Sequence, residues 1–474
     1  MRLKATLSGA VLLGLLAWSA PSFAEVQNVK VSGDITARGF WRTCLDLNCK
    51  SGALDNHEDF FMTTTGINLE ADLTENVSAH VRLANERDWN IVTPTTSAND
   101  VAISQSYVTF KELFYAPLTV RIGRQPIVWG RGFVLGSNLI PGSILRGNDI
   151  HAAITPNEFT DFTAFDALRA SLDLSGVGGL GIPLNVDAVY IKLNENTIGQ
   201  PDDVNLMGVN IGSHFNAWNS EAETYYLMKK DNSRTTPTGG TNPGKKAALS
   251  TLGIRGSAKP VSGSYLYGEL AWQFGQRTAD PLGVLRSGDR TNAWAFDLGT
   301  DYTFEKVAMK PKIGAEWIFW SGQNVNGAIA GWDPIARGYF TTALREFQGA
   351  AVFYPNSQLY LANGAAGTVG TAAATNQHQF ALYGSLKPLE DLTVAPRLTW
   401  FFLDKPARPG ATAATTMGKR KNYAGMEWDT QVTYNYTDDV QFGVLYGVFA
   451  PGNIYRSGND DVAQEMISSV SVKF

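Results

Sequence analysis

The sequence predicts an all-β chain, a transmembrane antiparallel β-barrel of about 18 strands. Three observations predict it. Apolar and polar residues alternate with period two along most of the chain, the connections alternate between short and long, and the N-terminus has the layout of an export signal.

The export segment comes first. Arg2 and Lys4 precede an apolar run from Ala10 to Trp18, and Ser22-Phe23-Ala24 stands before Glu25. This order predicts a cleaved signal peptide over 1–24 and a barrel over 25–474. Loss of two basic residues leaves 37 basic against 44 acidic, a formal charge of −7. A chain of that sign is a poor partner for nucleic acid. No later window approaches the ~18 uninterrupted apolar residues of a membrane helix.

The strands follow from parity. In the first, Val31, Ile35, Ala37 and Trp41 share one face, and Ser32, Asp34, Thr36 and Arg38 share the other. Such a strand suits a wall with lipid on one side and a wet lumen on the other. The same reasoning predicts strands at 29–42, 60–73, 77–89, 101–113, 118–129, 164–174, 184–194, 203–215 and 220–230. A second set follows at 247–258, 264–276, 290–303, 309–321, 376–387, 391–403, 427–436, 439–449 and 464–474.

Connection lengths give a separate test. Thr74-Glu75-Asn76, Ala116-Pro117 and Thr437-Asp438-Asp439 are short, whereas 131–163 and 322–375 are long. Short turns belong on the periplasmic side and long loops outside, so both termini are expected in the periplasm. The chain closes on Met466, Val470, Val472 and Phe474 along one face, as expected for a last strand that seals a barrel against the first. That strand is also where barrel-assembly machinery would bind. Strands are expected within a few residues of Glu25, so a plugged, energy-coupled transporter is not expected, and no fixed repeat points to a propeller.

Cys44 and Cys49 share one polar loop of an exported chain, so they are expected as a disulfide. A metal site is not expected, because two thiols make half of a zinc shell and no histidine cluster joins them. His57, His80, His151, His214 and His378 are scattered without ligand or dyad spacing. Neither a catalytic constellation nor a cofactor site is expected, and an enzyme is not the reading.

Parity places Arg38, Arg82, Arg121, Arg169, Arg255, Lys312 and Arg397 toward the lumen. Asp34, Glu70, Glu86, Glu269, Asp297, Glu316 and Asp429 share that face, so these charges can pair across strands and solvate the interior. Arg121 and Arg169 flank the long loop 131–163 and are the first candidates for a positive constriction. Tyr265, Tyr267 and Tyr383 also point inward and could stack against sugar rings. Trp41, Trp89, Trp129, Trp272, Trp317 and Phe474 are expected at the lipid interface.

A motif narrows this. Val120 to Gly130 reads VRIGRQPIVWG, followed by Arg131-Gly132-Phe133 and later by Phe165-Asp166-Ala167-Leu168-Arg169. The set resembles the alginate export family of outer-membrane porins. The stretch Glu427-Trp428-Asp429, then Val444 to Phe449, then Pro451-Gly452 is similar to that family's final strands. Gly123, Arg124, Gln125, Gly130 and Asp166 map onto the pattern, while Pro126 and Ala167 depart from it. The resemblance implies a passive channel in a Gram-negative outer membrane, surrounded by lipid, for a polar solute such as an anionic saccharide. A general or ion-selective porin is the alternative, and a structural or adhesive barrel a third reading.

Overall fold

Every strand with period-two alternation has one apolar edge-on face, and pairing such strands side by side satisfies all backbone groups only when the sheet closes. The structure is a computed structural model. It describes residues 28–45, 47, 49, 57–89, 101–137, 159–175, 183–195, 203–232, 247–276, 290–322, 331–344, 375–407, 421–455 and 460–474.

The first nine strands are β1 (Asn28–Thr43), β2 (His57–Thr74), β3 (Val77–Asp88), β4 (Ala102–Phe110), β5 (Leu118–Gln125), β6 (Phe165–Asp173), β7 (Leu184–Asn194), β8 (Val204–Phe215) and β9 (Ser220–Asp231). The rest are β10 (Ala247–Ala258), β11 (Ser264–Gln276), β12 (Arg290–Thr303), β13 (Lys312–Trp320), β14 (Gln377–Leu389), β15 (Leu392–Ala407), β16 (Lys421–Asn435), β17 (Val440–Pro451) and β18 (Ala463–Lys473). They form one 18-stranded antiparallel sheet in which β1 pairs with both β2 and β18, so the barrel is closed. At the seam Gly33 and Phe474 exchange both backbone hydrogen bonds, at 2.8 and 3.0 Å.

Parity sorts the side chains as expected. Val31, Ile67, Ile122, Leu168, Leu252 and Leu298 stand exposed on the outer face. Toward the long-loop ends of β11 to β16 the outer face carries a run of aromatic contacts. Trp272 stacks on Trp294 at 5.5 Å, Trp317 on Phe380 at 5.4 Å, and Phe402 meets Tyr423 at 5.2 Å.

Some strand ends differ from expectation, each for a local reason. Parity extends the fifth strand to 129, whereas β5 stops at Gln125, because Pro126 has no N–H to continue the ladder. β13 begins at Lys312, since Met309 and Lys310 have positive φ and Pro311 follows in a turn. β16 starts at Lys421, six residues earlier than expected. Its register is irregular near Phe401 and Phe402, opposite Gly425 with φ +137°, and this bulge breaks the alternation that parity relies on.

The larger difference concerns the two long loops. Both are read from sequence as extracellular, yet their described parts turn into the barrel. After Gln125 the chain leaves the wall, and Ile127, Trp129, Phe133, Val134 and Leu135 are buried against lumen-facing Ile191, Leu206 and Leu227. Trp332, Ile335 and Ala336 join them against Ala293, Ala295, Ile318 and Trp320. Trp129 is therefore an interior residue, 3 % exposed, and not part of the lipid interface. Residues 1–27 lie outside the described residues, and so does the expected signal peptide.

Candidate functional site in the lumen

The two inward segments, 127–137 and 331–344, form a pair of straps. A parallel bridge joins Leu135 to Ala336. The Gly136 N–H donates to the Ala336 carbonyl at 2.7 Å, and the Gly338 N–H to the Gly132 carbonyl at 2.8 Å. The backbones meet so closely that a Cβ on Gly338 would lie 2.4 Å from the Gly136 carbonyl carbon.

Arg131 pins this pair to the wall. Its guanidinium lies 3.6 Å from the Tyr267 ring centroid and 4.4 Å from that of Tyr339, so it sits between a wall residue and the second strap. It also pairs with Asp297 at 3.6 Å and Glu316 at 3.4 Å. Tyr267 and Tyr339 both donate their hydroxyls to Glu316, at 2.5 and 2.9 Å. Burial, and then the nearby Glu316 charge, hold the Tyr339 hydroxyl well above the ordinary tyrosine range, so it stays a donor. Asp297 and Glu316 are almost wholly buried, and a cation in their midst offsets a cost that neither carboxylate could bear alone.

The second strap is also held at its far end. The Leu344 N–H donates to Glu427 at 2.6 Å, and Leu344 packs with Leu47, Phe401, Phe449 and Tyr455. Leu47 belongs to the loop in which Cys44 and Cys49 are bonded, with Cα atoms 5.4 Å apart.

The lumen cations chosen from sequence differ in their partners. Arg82 reaches Asp34 at 2.8 Å and Asp161 at 2.9 Å; Arg169 reaches Asp187 at 2.8 Å; Arg255 reaches Glu223 at 2.5 Å and Glu221 at 3.0 Å. Arg397 pairs with Glu316. Each of these has a carboxylate, which leaves it as a neutralised wall residue. Arg121 and Lys312 form no ion pair among the described residues. Arg121 lies 4.5 Å from the Tyr107 ring centroid and donates to Thr109 at 3.3 Å. Arg38 donates to Thr64 at 3.3 Å and covers the Phe159 ring at 4.5 Å.

Arg121 and Arg169 are direct register partners on β5 and β6. Their surroundings differ, because Asp187 on β7 stands beside Arg169 and also accepts the Trp129 indole N–H at 2.7 Å.

Of the inward tyrosines, Tyr383 donates to Asp301 at 3.2 Å, and Tyr265 lies 5.5 Å from Tyr267. Below the second strap is a cavity of about 410 Å³, lined by Lys312, Arg397, Tyr383, Gln431, Phe159 and Phe340 among others. Tyr267 does not line it, being committed to Glu316 and Arg131.

The motif residues serve the departure of the first strap. Gly123 has φ +122°, and a Cβ there would lie 2.2 Å from the Ser106 carbonyl oxygen, so only glycine fits. Gln125 is fully buried and donates to the Ala167 carbonyl at 3.0 Å. The Gly130 N–H donates to Glu223 at 3.1 Å. Arg124 and Asp166 are register partners on the outer face, away from the lumen.

Sequence reading missed Arg131 as the pin, and it missed Tyr339 and Phe340 altogether. A signal was available. The run Trp332-Asp333-Pro334-Ile335-Ala336-Arg337-Gly338-Tyr339-Phe340 is too apolar and aromatic for a solvated loop of that length.

Residues 189–469, more than half of the chain, match the alginate export family. This chain belongs to that family. As an alginate export family protein with a closed barrel, it is a channel for polar solutes in a Gram-negative outer membrane. Among curated protein sequences none matches the chain.

Solved structures share the fold. Pseudomonas aeruginosa OccK2 (OpdF) in complex with glucuronate is 12 % identical at a TM-score of 0.52, over 95 % of this chain and 98 % of that one. Pseudomonas aeruginosa OccK9 (OpdG) is 11 % identical at 0.53, over 95 % and 99 %. Pseudomonas aeruginosa OccK8 (OprE) is 11 % identical at 0.52, over 95 % and 98 %.

Proposed function

We propose that this alginate export family channel passes an anionic saccharide, alginate being the candidate, by passive diffusion past the straps. The observation that carries this is that Arg121 and Lys312 form no ion pair among the described residues, in a lumen where Arg82, Arg169, Arg255 and Arg397 are neutralised by carboxylates. A sugar carboxylate can exchange water for a guanidinium or ammonium at each, and a charge-assisted hydrogen bond of this kind is worth about 1.5 to 3 kcal/mol. Tyr383, Phe159 and Phe340 supply flat apolar faces beside Lys312 and Arg397, as a pyranose ring requires. OccK2, which shares the fold, has been solved with glucuronate, a sugar acid of this class.

A signal peptide over 1–24 and recognition of β18 by barrel-assembly machinery belong to the same reading. So does conduction without catalysis. A second reading, a general or ion-selective porin, is favoured by the neutralised pairs at Arg82, Arg169 and Arg255, which leave a mixed lumen.

Planar-bilayer conductance titrated with neutral and uronic oligosaccharides separates the two. A saccharide channel should be blocked by oligouronates at concentrations where neutral oligosaccharides have little effect. Free conduction with no block by either would sink the anionic-saccharide reading and leave the general porin.

A further inference from the structure

The outer wall carries a groove that solute passage does not use. It crosses β9 to β15, has a volume of about 940 Å³, and presents mostly apolar surface. Leu266, Leu298, Trp317, Leu382 and Trp400 form its sides, with Thr300 and Ala315, both small, between them. These are lipid-facing positions, so hydrocarbon is the medium that fills it. Trp218, in the short turn joining β8 to β9 and 66 % exposed, also lines the groove.

The short turns along this sector carry a charge pattern. Lys259 follows β10, Lys306 and Lys310 lie between β12 and β13, and Lys387 is near the end of β14; all four are exposed. Two are fixed by their backbones to the turns in question. The Lys259 N–H donates to the Trp218 carbonyl and the Lys387 N–H to the Met309 carbonyl, each at 2.7 Å. None of the four lysines forms an ion pair among the described residues.

The nearby acids are Glu221, which lines the groove and pairs with Arg255 at 3.0 Å, and Glu305, Glu390 and Asp391. Glu305 accepts the Ser262 hydroxyl at 3.1 Å, and the Asp391 carbonyl accepts from Asn435 on β16, at the edge away from β13. Val261, Val307 and Met309, all more than half exposed, stand among the lysines. Apolar side chains at hydrocarbon depth with lysines at headgroup depth make a surface complementary to a negatively charged lipid.

We propose that this groove and its lysine border seat an anionic glycerophospholipid from the leaflet on the short-turn side. Acyl chains lie along Leu266, Leu298 and Leu382, and the phosphate sits among Lys259, Lys310 and Lys387. A zwitterionic lipid can fill the same groove but gains nothing from the lysines. Each lysine removed should cost roughly fivefold in affinity for the anionic headgroup.

The test is native mass spectrometry of the full chain in detergent micelles titrated with phosphatidylglycerol or phosphatidylcholine, with heat-modifiable gel mobility confirming the barrel. The wild type should retain phosphatidylglycerol in preference. The double variant Lys310→Gln and Lys387→Gln should lose roughly 25-fold in phosphatidylglycerol affinity and keep its phosphatidylcholine retention. Ala315→Phe, which fills the groove and leaves every lysine, should lower both. Equal retention of the two lipids by the wild type, an unaffected double variant, or an unaffected Ala315→Phe would overturn the proposal. So would displacement of the lipid by free inorganic phosphate, which would make the site a phosphate site and not a lipid seat.

Discussion

Arg121 and Arg169 face the lumen as direct register partners on adjacent strands, yet only Arg169 has a carboxylate. Asp187 takes both the Arg169 guanidinium and the Trp129 indole N–H, so that arginine helps to position a strap. Arg121 rests on the Tyr107 ring and remains able to bind an anion.

This difference separates two substitutions. Arg121→Gln should shift the reversal potential toward cations and weaken block by oligouronates, with the open-channel conductance little changed. Arg169→Gln leaves Asp187 without its cation and loosens the carboxylate that holds Trp129, so it should shift selectivity and also make the current noisier. Measured in planar bilayers under a salt gradient, identical behaviour of the two variants would count against this division. The double variant should assemble normally and lose oligouronate block.

Arg131 bridges the first strap, the second strap and the wall. Arg131→Gln leaves Asp297 and Glu316 buried with one cation fewer, a loss on the order of 3 to 5 kcal/mol for a buried pair. Larger and more variable single-channel conductance is the expected outcome. A steady current of wild-type size would show that Arg131 does not hold the straps.

Gly338→Val tests the straps from the other direction. A Cβ at that position would fall 2.4 Å from the Gly136 carbonyl carbon, so the two backbones must part, at a cost of about 1 to 3 kcal/mol. The variant should assemble as well as the wild type by heat-modifiable mobility and conduct more. If conductance is unchanged, the contact between the straps does not set the aperture.

Deletion of Phe474 removes two backbone hydrogen bonds to Gly33 at the seam. Lower levels of folded protein in isolated outer membranes, with conductance of the surviving barrels unaltered, are expected. Normal membrane levels would refute the role of the last residue in closure.

The wall was legible in the sequence, and the contents of the lumen largely were not. Alternation reports whether a side chain faces lipid, and it assigns Arg82, Arg169, Arg255 and Arg397 to the inner face because their neighbours Val81, Leu168, Ile254 and Leu398 alternate with them. Parity carries no information about partners two strands away. Arg397 meets Glu316 across β14, and Arg82 meets Asp34 across β2, pairings that depend on strand register around a closed wall. The straps were hidden for another reason. A segment inside a barrel buries side chains against a ring of walls, so it shows neither the period of a strand nor that of a helix, and parity alone puts Trp129 at the lipid interface in consequence.

The bridge between Leu135 and Ala336 joins two loops about 200 residues apart in sequence, and neither contributes a strand to the wall. The cross-section of the conduit is thereby uncoupled from its circumference. Lengthening or exchanging residues of the straps can widen, narrow or reshape the orifice while the 18 strands, their tilt and their seam stay as they are. A barrel built this way behaves as a fixed frame carrying an interchangeable diaphragm, and a change of cargo would require new residues in the diaphragm before any in the frame.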